Sequence, residues 1–378
     1  MAVDPKELSS VWLLRSGILN RNYWAFHYGY NLLRKKYTPL YTEATGYGVK
    51  WLLNCANYSG NAALLDYAKK LGHFIHSSKI SLNSKRATLR SGYRHAASCW
   101  DSYAYSFDTA ICISSLIDLG KSTKSKGFLE DALQCGYWLV QEAQNSDGSF
   151  KACFDVNSRR FLKLNNWFGD RSCLHAKIAM SLYSLYECTR DQLFIDKFES
   201  LLDWLLSVQQ PSGGVSAREG ASYVFTHSHC YALEALAFAY EKTKEEKYLA
   251  ALKKGIDWLA KRQDKDGGFF DFYGLARPIP WKRIDATAQA CRLFIGMHLL
   301  ESEGTYILAA RRAANFLARN QVTRSGDENA IGGFYTKSLG LVRWSELNSW
   351  TALFANHAFH LLESADKYSF SRFVMELF

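Results

Sequence analysis

A repeat of about sixty residues constrains the fold of this chain of 378 residues more than any other feature of its sequence. Each repeat begins with a short polar segment, called a head below, and continues with a stretch rich in alanine, leucine and small residues. The spacings between heads are 65, 67, 54, 56 and 63 residues, and the heads are centred on Glu43, Asp108, His175, His229, Asp285 and Asn348. Recurring units of this size are typical of stacked helical hairpins.

The two halves of each repeat differ in how their apolar residues are distributed. Behind each head, the residues are apolar nearly all round a helix, which is typical of a helix buried on every side. These six predicted inner helices cover residues 46–56, 109–119, 176–187, 230–240, 286–300 and 349–362. An amphipathic helix follows, as at residues 247–259, and predicts an outer layer. Glycines such as Gly148, Gly214, Gly267 and Gly333 then end the unit and predict a turn.

Six inner helices that alternate with outer helices predict an all-α protein, an (α/α)6 toroid of helical hairpins that forms a single domain over residues 1–378. An open solenoid has the same period, because the period alone does not determine closure. The sixth outer helix comes either from the N-terminal segment 1–37, with helices expected at 6–19 and 22–36, or from the tail after Ala365. The N-terminal segment would pack on the ring or close it.

Charge and cysteine content narrow the expected partners and compartment. A formal net charge of +10 predicts attraction to anions. The sequence has neither a dense basic run nor a glycine-rich phosphate motif, so a nucleic-acid partner is not expected. Nine cysteines without a Cys-x-x-Cys pair indicate reduced thiols and a cytoplasmic protein. No apolar run has the length of a membrane span, and the sequence leaves the oligomeric state open.

The heads are the predicted site, because the inner helices of such a toroid all begin at the same mouth. Their positive N-terminal ends favour an anionic ligand. The residues predicted to be catalytic are Glu43, Asp108, His229 and Asp285. A carboxylate pair can cleave glycosidic bonds. A helix N-terminus lowers the pKa of a carboxyl group, so Asp108 and Asp285 suit a base or nucleophile, and Glu43 or a histidine suits the acid.

Other polar and aromatic residues of the heads are predicted to bind the substrate. Arginine and lysine would hold a carboxylate, and tyrosines would stack on sugar rings. The predicted substrate-binding residues are Tyr41, Tyr47, Arg94, His175, Lys177, His227, Tyr231, Glu234, Arg283, Gln289, Arg292, Asn348 and Trp350.

Structural interpretations of the same residues remain open. Asp108, Asp285 and Asn348 can act as N-caps that bind free backbone donors, and His175 can be a core histidine. The group of His227, His229, Cys230 and Asp285 contains zinc-type ligands. However, adjacent residues of a helix point in different directions, so we predict neither a metal nor a cofactor.

The heads resemble those of α/α-toroid proteins encoded among polysaccharide-biosynthesis genes, a family related in fold to six-hairpin glycosidases and terpenoid cyclases. The resembling segments are residues 41–47, 107–109, 174–177, 227–234, 283–293 and 348–355. The resemblance implies a toroid and a glycan context, and with the charge it indicates an acidic glycan or a lipid-linked oligosaccharide. The leading prediction is therefore a carbohydrate-active enzyme acting on a uronate-type glycan as a hydrolase, lyase or C5-epimerase.

A second resemblance supports a different class of enzyme. Gly255, Trp258, Gln263, Gly267 and Phe269 resemble the QW repeat of triterpene cyclases, and protein prenyltransferase β-subunits share the toroid. The chain has neither the Asp-x-Asp-Asp acid nor the Asp-Asp-x-x-Asp pyrophosphate motif of such enzymes. An isoprenoid enzyme is therefore an alternative, and a non-catalytic glycan-binding scaffold is a third.

Overall fold

The computed structural model describes residues 4–89, 102–277 and 279–378, and the elements below lie within these ranges. The described α-helices are α1 (Pro5–Arg15), α2 (Thr42–Ser59), α3 (Ala62–Ser77), α4 (Ser106–Thr123), α5 (Lys126–Trp138), α6 (Ile178–Thr189), α7 (Gln192–Ser207), α8 (Thr226–Thr243), α9 (Glu246–Ala260), α10 (Ile284–Glu301), α11 (Gly304–Arg319), α12 (Ser349–Glu363) and α13 (Phe370–Glu376). The short strands are β1 (Leu19–Asn20), β2 (Ala25–Phe26), β3 (Gly29–Asn31), β4 (Lys36–Tyr37), β5 (Lys79–Ser81), β6 (Ala87–Leu89), β7 (Tyr103–Tyr105), β8 (Cys153–Asp155), β9 (Arg160–Leu162), β10 (Val224–Phe225), β11 (Phe272–Tyr273), β12 (Lys282–Arg283), β13 (Lys337–Leu339), β14 (Val342–Arg343) and β15 (Glu346–Asn348).

The predicted inner helices are confirmed as α2, α4, α6, α8, α10 and α12, with a 3-10 turn at Cys173–Lys177 before α6. Four of them follow a strand directly, namely β7, β10, β12 and β15. Each of these strands pairs with a strand from another loop, as where Arg283 of β12 lies opposite Lys337 of β13. The strands therefore hold the heads of α4, α8, α10 and α12 in place.

One compact unit comprises residues 20–28 and 39–207 together with Phe378, and it contains the hairpins α2–α3, α4–α5 and α6–α7. Small residues on its inner helices allow neighbouring backbones to approach. The Ser115 hydroxyl donates to the Gly46 carbonyl at 2.8 Å, and the Ser181 hydroxyl donates to the Ala110 carbonyl at 2.6 Å. The alanine, serine and glycine content of the inner helices thus serves close helix packing.

The other compact unit comprises the described residues up to Leu19, residues 29–38 and residues 208–377. It contains the hairpins α8–α9 and α10–α11, and α12 packs against α1. The Asn356 amide on α12 donates to the Lys6 carbonyl of α1 at 2.9 Å. Helix α1 is therefore the outer partner of α12, while α13 packs against α8 and α10.

The helix expected at residues 22–36 is wrong. This segment contains β2, β3 and turns, and β4 begins at Lys36. Tyr30 of β3 lies opposite Leu347 of β15 and opposite Tyr37 of β4. A ladder of backbone hydrogen bonds on both sides of β3 outweighs the helix propensity of the leucine and basic residues at positions 32–36.

A glutamine in the turn after an outer helix binds two backbone carbonyls. In each case the side-chain Nε2 donates to the carbonyl of a nearby glycine and to a carbonyl of the following outer helix. The four residues are Gln144, Gln209, Gln263 and Gln321. For Gln321 that second acceptor is Pro5 of α1, at 2.9 Å. Helix α1 thus occupies the position that the repeat assigns to the sixth outer helix.

The glycines of these turns are required by both conformation and space. Gly332 has a φ of +98°, and a Cβ built there would lie 2.3 Å from the Leu8 carbonyl oxygen. Gly148 has a φ of +91°, and its Cβ would lie 2.0 Å from the Ser200 carbonyl oxygen. A side chain would therefore push the turn away from the neighbouring outer helix.

Candidate functional site

A cluster of polar side chains surrounds Asp285, the second residue of α10, in the unit that contains residues 208–377. Its carboxylate is fully buried and accepts two hydrogen bonds from the Arg283 guanidinium and one from the Trp350 indole N–H at 3.0 Å. Burial alone would raise the pKa of Asp285, but Arg283, His227 and these hydrogen bonds lower it below its ordinary value. Asp285 is therefore an anion at physiological pH, suited to a base or to charge stabilisation.

His227 lies beside this carboxylate on α8. Its Nδ1 is 2.6 Å from the Gln289 amide oxygen and 3.8 Å from Asp285 Oδ2. Since both oxygens accept hydrogen bonds, they favour the tautomer with its proton on Nδ1 and the lone pair on Nε2. Burial lowers the pKa of His227 to about 4, although Asp285 opposes the shift. The ring is therefore neutral at physiological pH.

Further along α8, α10 and α12, residues four or seven positions after His227, Asp285 and Trp350 lie on the same helix faces as these three. Tyr231 packs between the rings of His227 and Phe354, at 4.6 and 6.3 Å. Deeper still, Arg292 donates to Glu234 at 2.5 Å, and both side chains are fully buried. This ion pair joins Glu234 to Arg292, two residues that the sequence predicts to bind the substrate.

His229 points elsewhere, because residues two apart on a helix face different directions. Its Nδ1 accepts the Val215 backbone N–H at 3.2 Å, and its Nε2 lies 3.3 Å from the Gly255 carbonyl oxygen. The ring also packs on Trp258 at 4.8 Å. Both nitrogens face backbone atoms, which is the environment of a structural histidine, so this geometry does not support the predicted catalytic role.

The N-cap interpretation holds for one of its three residues. The Asn348 side chain accepts the Thr351 N–H at 2.8 Å at the start of α12. Asp108 and Asp285 are not N-caps, because they lie in the first turns of α4 and α10, after N-cap residues Tyr105 and Arg283. Their carboxylates are thus available for roles other than capping.

A second carboxylate cluster lies in the first unit, at the heads of α2 and α4. The Tyr41 hydroxyl is 3.5 Å from Asp108 Oδ1 and also forms a hydrogen bond with the Glu43 carboxylate. Burial, followed by the charges of Asp108 and Glu43, raises the pKa of Tyr41 well above its ordinary value. Two nearly buried carboxylates are therefore brought together by one phenol.

The remaining predicted residues of this unit lie in less reactive surroundings. Lys177 is buried and donates to the Phe378 carbonyl oxygen at 2.6 Å, with the Tyr47 ring 6.2 Å from the Phe378 ring. His175 is buried beside Phe150, and burial lowers its pKa to about 3. Its Nδ1 has no hydrogen-bond partner among the described residues, whereas the ring nitrogens of a structural histidine normally have partners. Arg94 lies outside the described residues.

Sequence reasoning missed two acidic groups near the heads. Asp271 is buried between Arg283 at 3.8 Å and Lys337 at 2.7 Å, and burial raises its pKa despite these cations. Glu346 of β15 is half-buried, and burial raises its pKa to about 7. In the sequence, Asp271 lies two residues after Phe269, and Glu346 lies two residues before Asn348. Neither spacing is the three or four residues that place side chains on one helix face, so the helical pattern did not identify these two residues.

Metal ligation is not supported within residues 4–89, 102–277 and 279–378, where no group of three or more histidine, cysteine, aspartate or glutamate residues is placed to hold an ion. The zinc ligands weighed from the sequence diverge, since His229 faces Gly255 and the Cys230 thiol faces the Ala286 carbonyl. No helix within the same ranges is long and apolar enough to cross a membrane.

Several solved structures with the same architecture are those of enzymes that act on sugars. Cellobiose 2-epimerase from Bacillus thermoamylovorans matches with a TM-score of 0.77 at 15% identity, over 96% of this chain and 99% of that one. The Spirochaeta thermophila cellobiose 2-epimerase gives 0.74 at 14%, covering 96% of each chain. An unsaturated glucuronyl hydrolase from a Bacillus species gives 0.68 at 15%, covering 95% and 97%. These matches confirm the predicted (α/α)6 toroid, an all-α fold.

Sequence comparison assigns the family. A search of curated protein sequences finds no match. The model of the squalene-hopene cyclase C-terminal domain family matches residues 81–334, well over half of the chain. That family has the toroid to which the repeat, the glutamine turns and the QW-like residues point. The chain therefore belongs to the squalene-hopene cyclase C-terminal domain family.

Proposed function

We propose that the protein is a carbohydrate-active enzyme of polysaccharide metabolism that removes a proton from a sugar carbon next to a carbonyl or carboxyl group. The observation that carries this proposal is the group formed by the buried residues His227, Asp285 and Gln289 together with the partly buried Arg283. Such a reaction makes the enzyme a lyase or an epimerase. The glycan is acidic, of the uronate type, and is either free or lipid-linked.

His227 is the base in this proposal. Its depressed pKa of about 4 keeps the ring neutral at physiological pH, and the Nδ1 tautomer puts the lone pair on Nε2. Proton transfer from the sugar to Nε2 forms an imidazolium, while the electron pair is delocalised onto the adjacent carbonyl or carboxyl oxygen.

Asp285 stabilises that imidazolium from 3.8 Å, and Arg283 keeps the carboxylate ionised and oriented. Gln289 holds the ring by its oxygen, and its buried Nε2 has no hydrogen-bond partner among the described residues. This amide is suited to donate to a sugar oxygen.

Three observations support a sugar, and an acidic one in particular. The chain carries a formal charge of +10, and the beginnings of helices favour anions. The structural neighbours include two epimerases of cellobiose and a hydrolase of unsaturated glucuronyl groups.

The eight described cysteines are free thiols, which fits the proposed cytoplasmic location.

Glycoside hydrolysis is a second candidate, favoured by the cluster of Glu43, Tyr41 and Asp108. Two carboxyl groups near one phenol are suited to the acid and base roles of a hydrolase. An isoprenoid enzyme is favoured by the family match, but its acidic motifs are missing from the sequence.

The test uses purified protein and a panel of neutral and uronate-containing oligosaccharides in deuterated water. Mass spectrometry reports deuterium uptake, new double bonds and cleavage in the same sample. We expect a uronate-containing glycan to gain carbon-bound deuterium if the enzyme is an epimerase, or a new double bond if it is a lyase, and we expect either change to be lost in Asp285→Asn. Cleavage with neither deuterium uptake nor a new double bond, abolished by Glu43→Gln, would assign hydrolysis instead. Turnover of an isoprenoid diphosphate and of no glycan would contradict both carbohydrate functions.

A further inference from the structure

A cavity of about 650 Å³ lies beside the last turns of the outer helix α3, in the unit that contains residues 39–207. One wall is a single face of α3, because Lys70, His73, Phe74 and Ser77 are spaced by three or four residues. The opposite wall is the turn at residues 21–24, which joins β1 to β2. The volume is in the range of pockets that hold a small ligand.

The turn holds its aromatic residues in a strained conformation. Trp24 has a φ of +52°, in the left-handed region that residues with a side chain rarely adopt. The Asn20 side-chain oxygen fixes the turn by accepting the N–H groups of Asn22 and Tyr23, at 3.0 and 3.2 Å. The Trp24 ring is anchored against the Tyr67 ring at 5.0 Å. Strain of this kind is concentrated at ligand-binding sites, where the surrounding structure maintains it.

Tyr23 turns its ring to solvent beside this anchored tryptophan. The side chain is 65% exposed, so it contributes little to the core. Asn22, His73 and Ser77 line the same cavity and are also exposed. An aromatic face is thereby combined with amide, imidazole and hydroxyl groups, which suits a ligand that has both apolar faces and polar edges.

The charge in the cavity is already neutralised. The Lys70 ammonium pairs with Asp66 at 3.0 Å and lies over the Trp24 ring at 4.4 Å. An anionic ligand would have to compete with Asp66 for this cation. A lipid chain would remove water from the polar groups of the wall without replacing their hydrogen bonds, which is costly. A neutral sugar fits, because its ring has apolar C–H faces and an edge of hydroxyl groups.

The cavity lies at the same end of its hairpin as the head of α2. Only residues 60–61 separate α2 from α3, so the two helices run antiparallel and the last turn of α3 lies level with the first turn of α2. Phe74 of α3 packs with Leu40 and Ala25 in one buried cluster. Since Leu40 directly precedes the head at residues 41–47, the cavity is tied to the segment that carries Glu43.

We propose that this cavity is an accessory binding site for a neutral sugar unit of an oligosaccharide. The sugar ring stacks on Tyr23, and its hydroxyl groups bind Asn22, His73 and Ser77. The site holds one unit of a long glycan whose other units reach the heads, and that clause alone rests on the proposed function. Sugar binding at Tyr23 does not depend on any reaction.

The experiment is saturation-transfer difference NMR of the full chain, titrated with cellotetraose, xylotetraose and mannotetraose as neutral probes and with tetragalacturonate as an acidic probe. The test variant is Tyr23→Ala, and Tyr23→Phe is the conservative variant. The matched control is Trp344→Ala, since Trp344 is an aromatic residue of the other unit that is 51% exposed. Because both positions are exposed, the fold should be unchanged, and circular dichroism checks this.

We expect the wild type, Tyr23→Phe and Trp344→Ala to bind at least one neutral tetrasaccharide equally, because all three keep an aromatic ring at position 23. Tyr23→Ala should bind it about tenfold more weakly through loss of the stacking face. Turnover of a short uronate-containing glycan should be the same in Tyr23→Ala as in the wild type. Tyr23-dependent binding by a protein without any turnover would support this site and contradict the proposed function alone.

Three results would overturn the proposal. The first is a wild type that binds none of the neutral tetrasaccharides. The second is a Tyr23→Ala variant that binds them as well as the wild type, or a Trp344→Ala variant that is weakened equally. The third is Tyr23-dependent binding of tetragalacturonate alone, which would make the cavity a site for an anionic sugar.

Discussion

Replacing Asp285 by asparagine tests the charge stabilisation proposed for the site. Two unit charges 3.8 Å apart, the separation of Asp285 and His227, attract each other by about 4 kcal/mol at an effective dielectric constant of about 20. The attraction exists only once His227 has accepted a proton, so it lowers the barrier rather than the ground state. Asp285→Asn should therefore slow the reaction by about a thousandfold, while the Trp350 N–H keeps an oxygen to bind.

The assay is the rate at which the glycan takes up carbon-bound deuterium or gains a double bond, as a function of pH. In the wild type the rate should fall as pH drops through about 4, where His227 becomes protonated. In Asp285→Asn this limb should move to lower pH, because the neighbouring charge that raises the pKa of His227 is gone. Thermal unfolding is followed in parallel, since Arg283 loses a partner.

Asp271→Asn is the matched control. This aspartate also lies beside Arg283, but its own hydrogen bond is with Lys337. Its charge has no part in the proposed stabilisation of the imidazolium, so its substitution should leave the rate within about tenfold of the wild type. The reasoning is refuted if Asp285→Asn retains a rate within tenfold, or if both substitutions slow the reaction equally.

Three further predictions concern stability. In the folded protein the pKa values of four buried histidines, His175, His227, His229 and His357, lie at about 3 to 4, below the ordinary value of 6.5. Between these pH values the unfolded chain therefore binds more protons than the folded chain. The free energy of unfolding should therefore fall as pH drops below 6.5, by up to about 1.4 kcal/mol per pH unit for each ring, and pH-independent denaturant midpoints from 7 to 5 would contradict this. Glu234→Leu alone should destabilise the protein by about 3 to 5 kcal/mol, because it leaves Arg292 charged and buried. Adding Arg292→Met should restore most of that loss in urea unfolding, whereas additive losses would show that the ion pair is not coupled. Asn348→Ala should cost about 1 kcal/mol through loss of the cap on α12, and an unchanged melting temperature would exclude that role.

The inner helices could be predicted from the sequence because burial on every side leaves a clear apolar pattern. The period of about sixty residues located their heads, and four of the heads proved to follow strands. The choice of α1 as the sixth outer helix could not be made, since Pro5–Arg15 has no clear amphipathic pattern. The contact that identifies it joins Gln321 to Pro5, at opposite ends of the chain.

The chemistry of the heads was harder to predict, because it depends on which loops meet. Asp271 and Arg283 lie in the connection between α9 and α10, whereas Lys337 lies in the connection between α11 and α12, so no local spacing brings all three together. The difference between His227 and His229 was accessible, however. Two residues apart on a helix, they point in different directions, so one faces Asp285 and the other faces the outer helix α9. A catalytic role for His229 remains a prediction that this geometry does not support.

The most direct test of the central proposal is deuterium uptake or double-bond formation in a uronate-containing glycan with the wild type and with His227→Asn. Asparagine can keep the hydrogen bond to Gln289 but cannot accept a proton at neutral pH. With the wild type, the proposal predicts either deuterium or a new double bond at the carbon next to the carboxyl or carbonyl group, and with the variant neither above background. Equal amounts of either product with both proteins would contradict the assignment of His227 as the base.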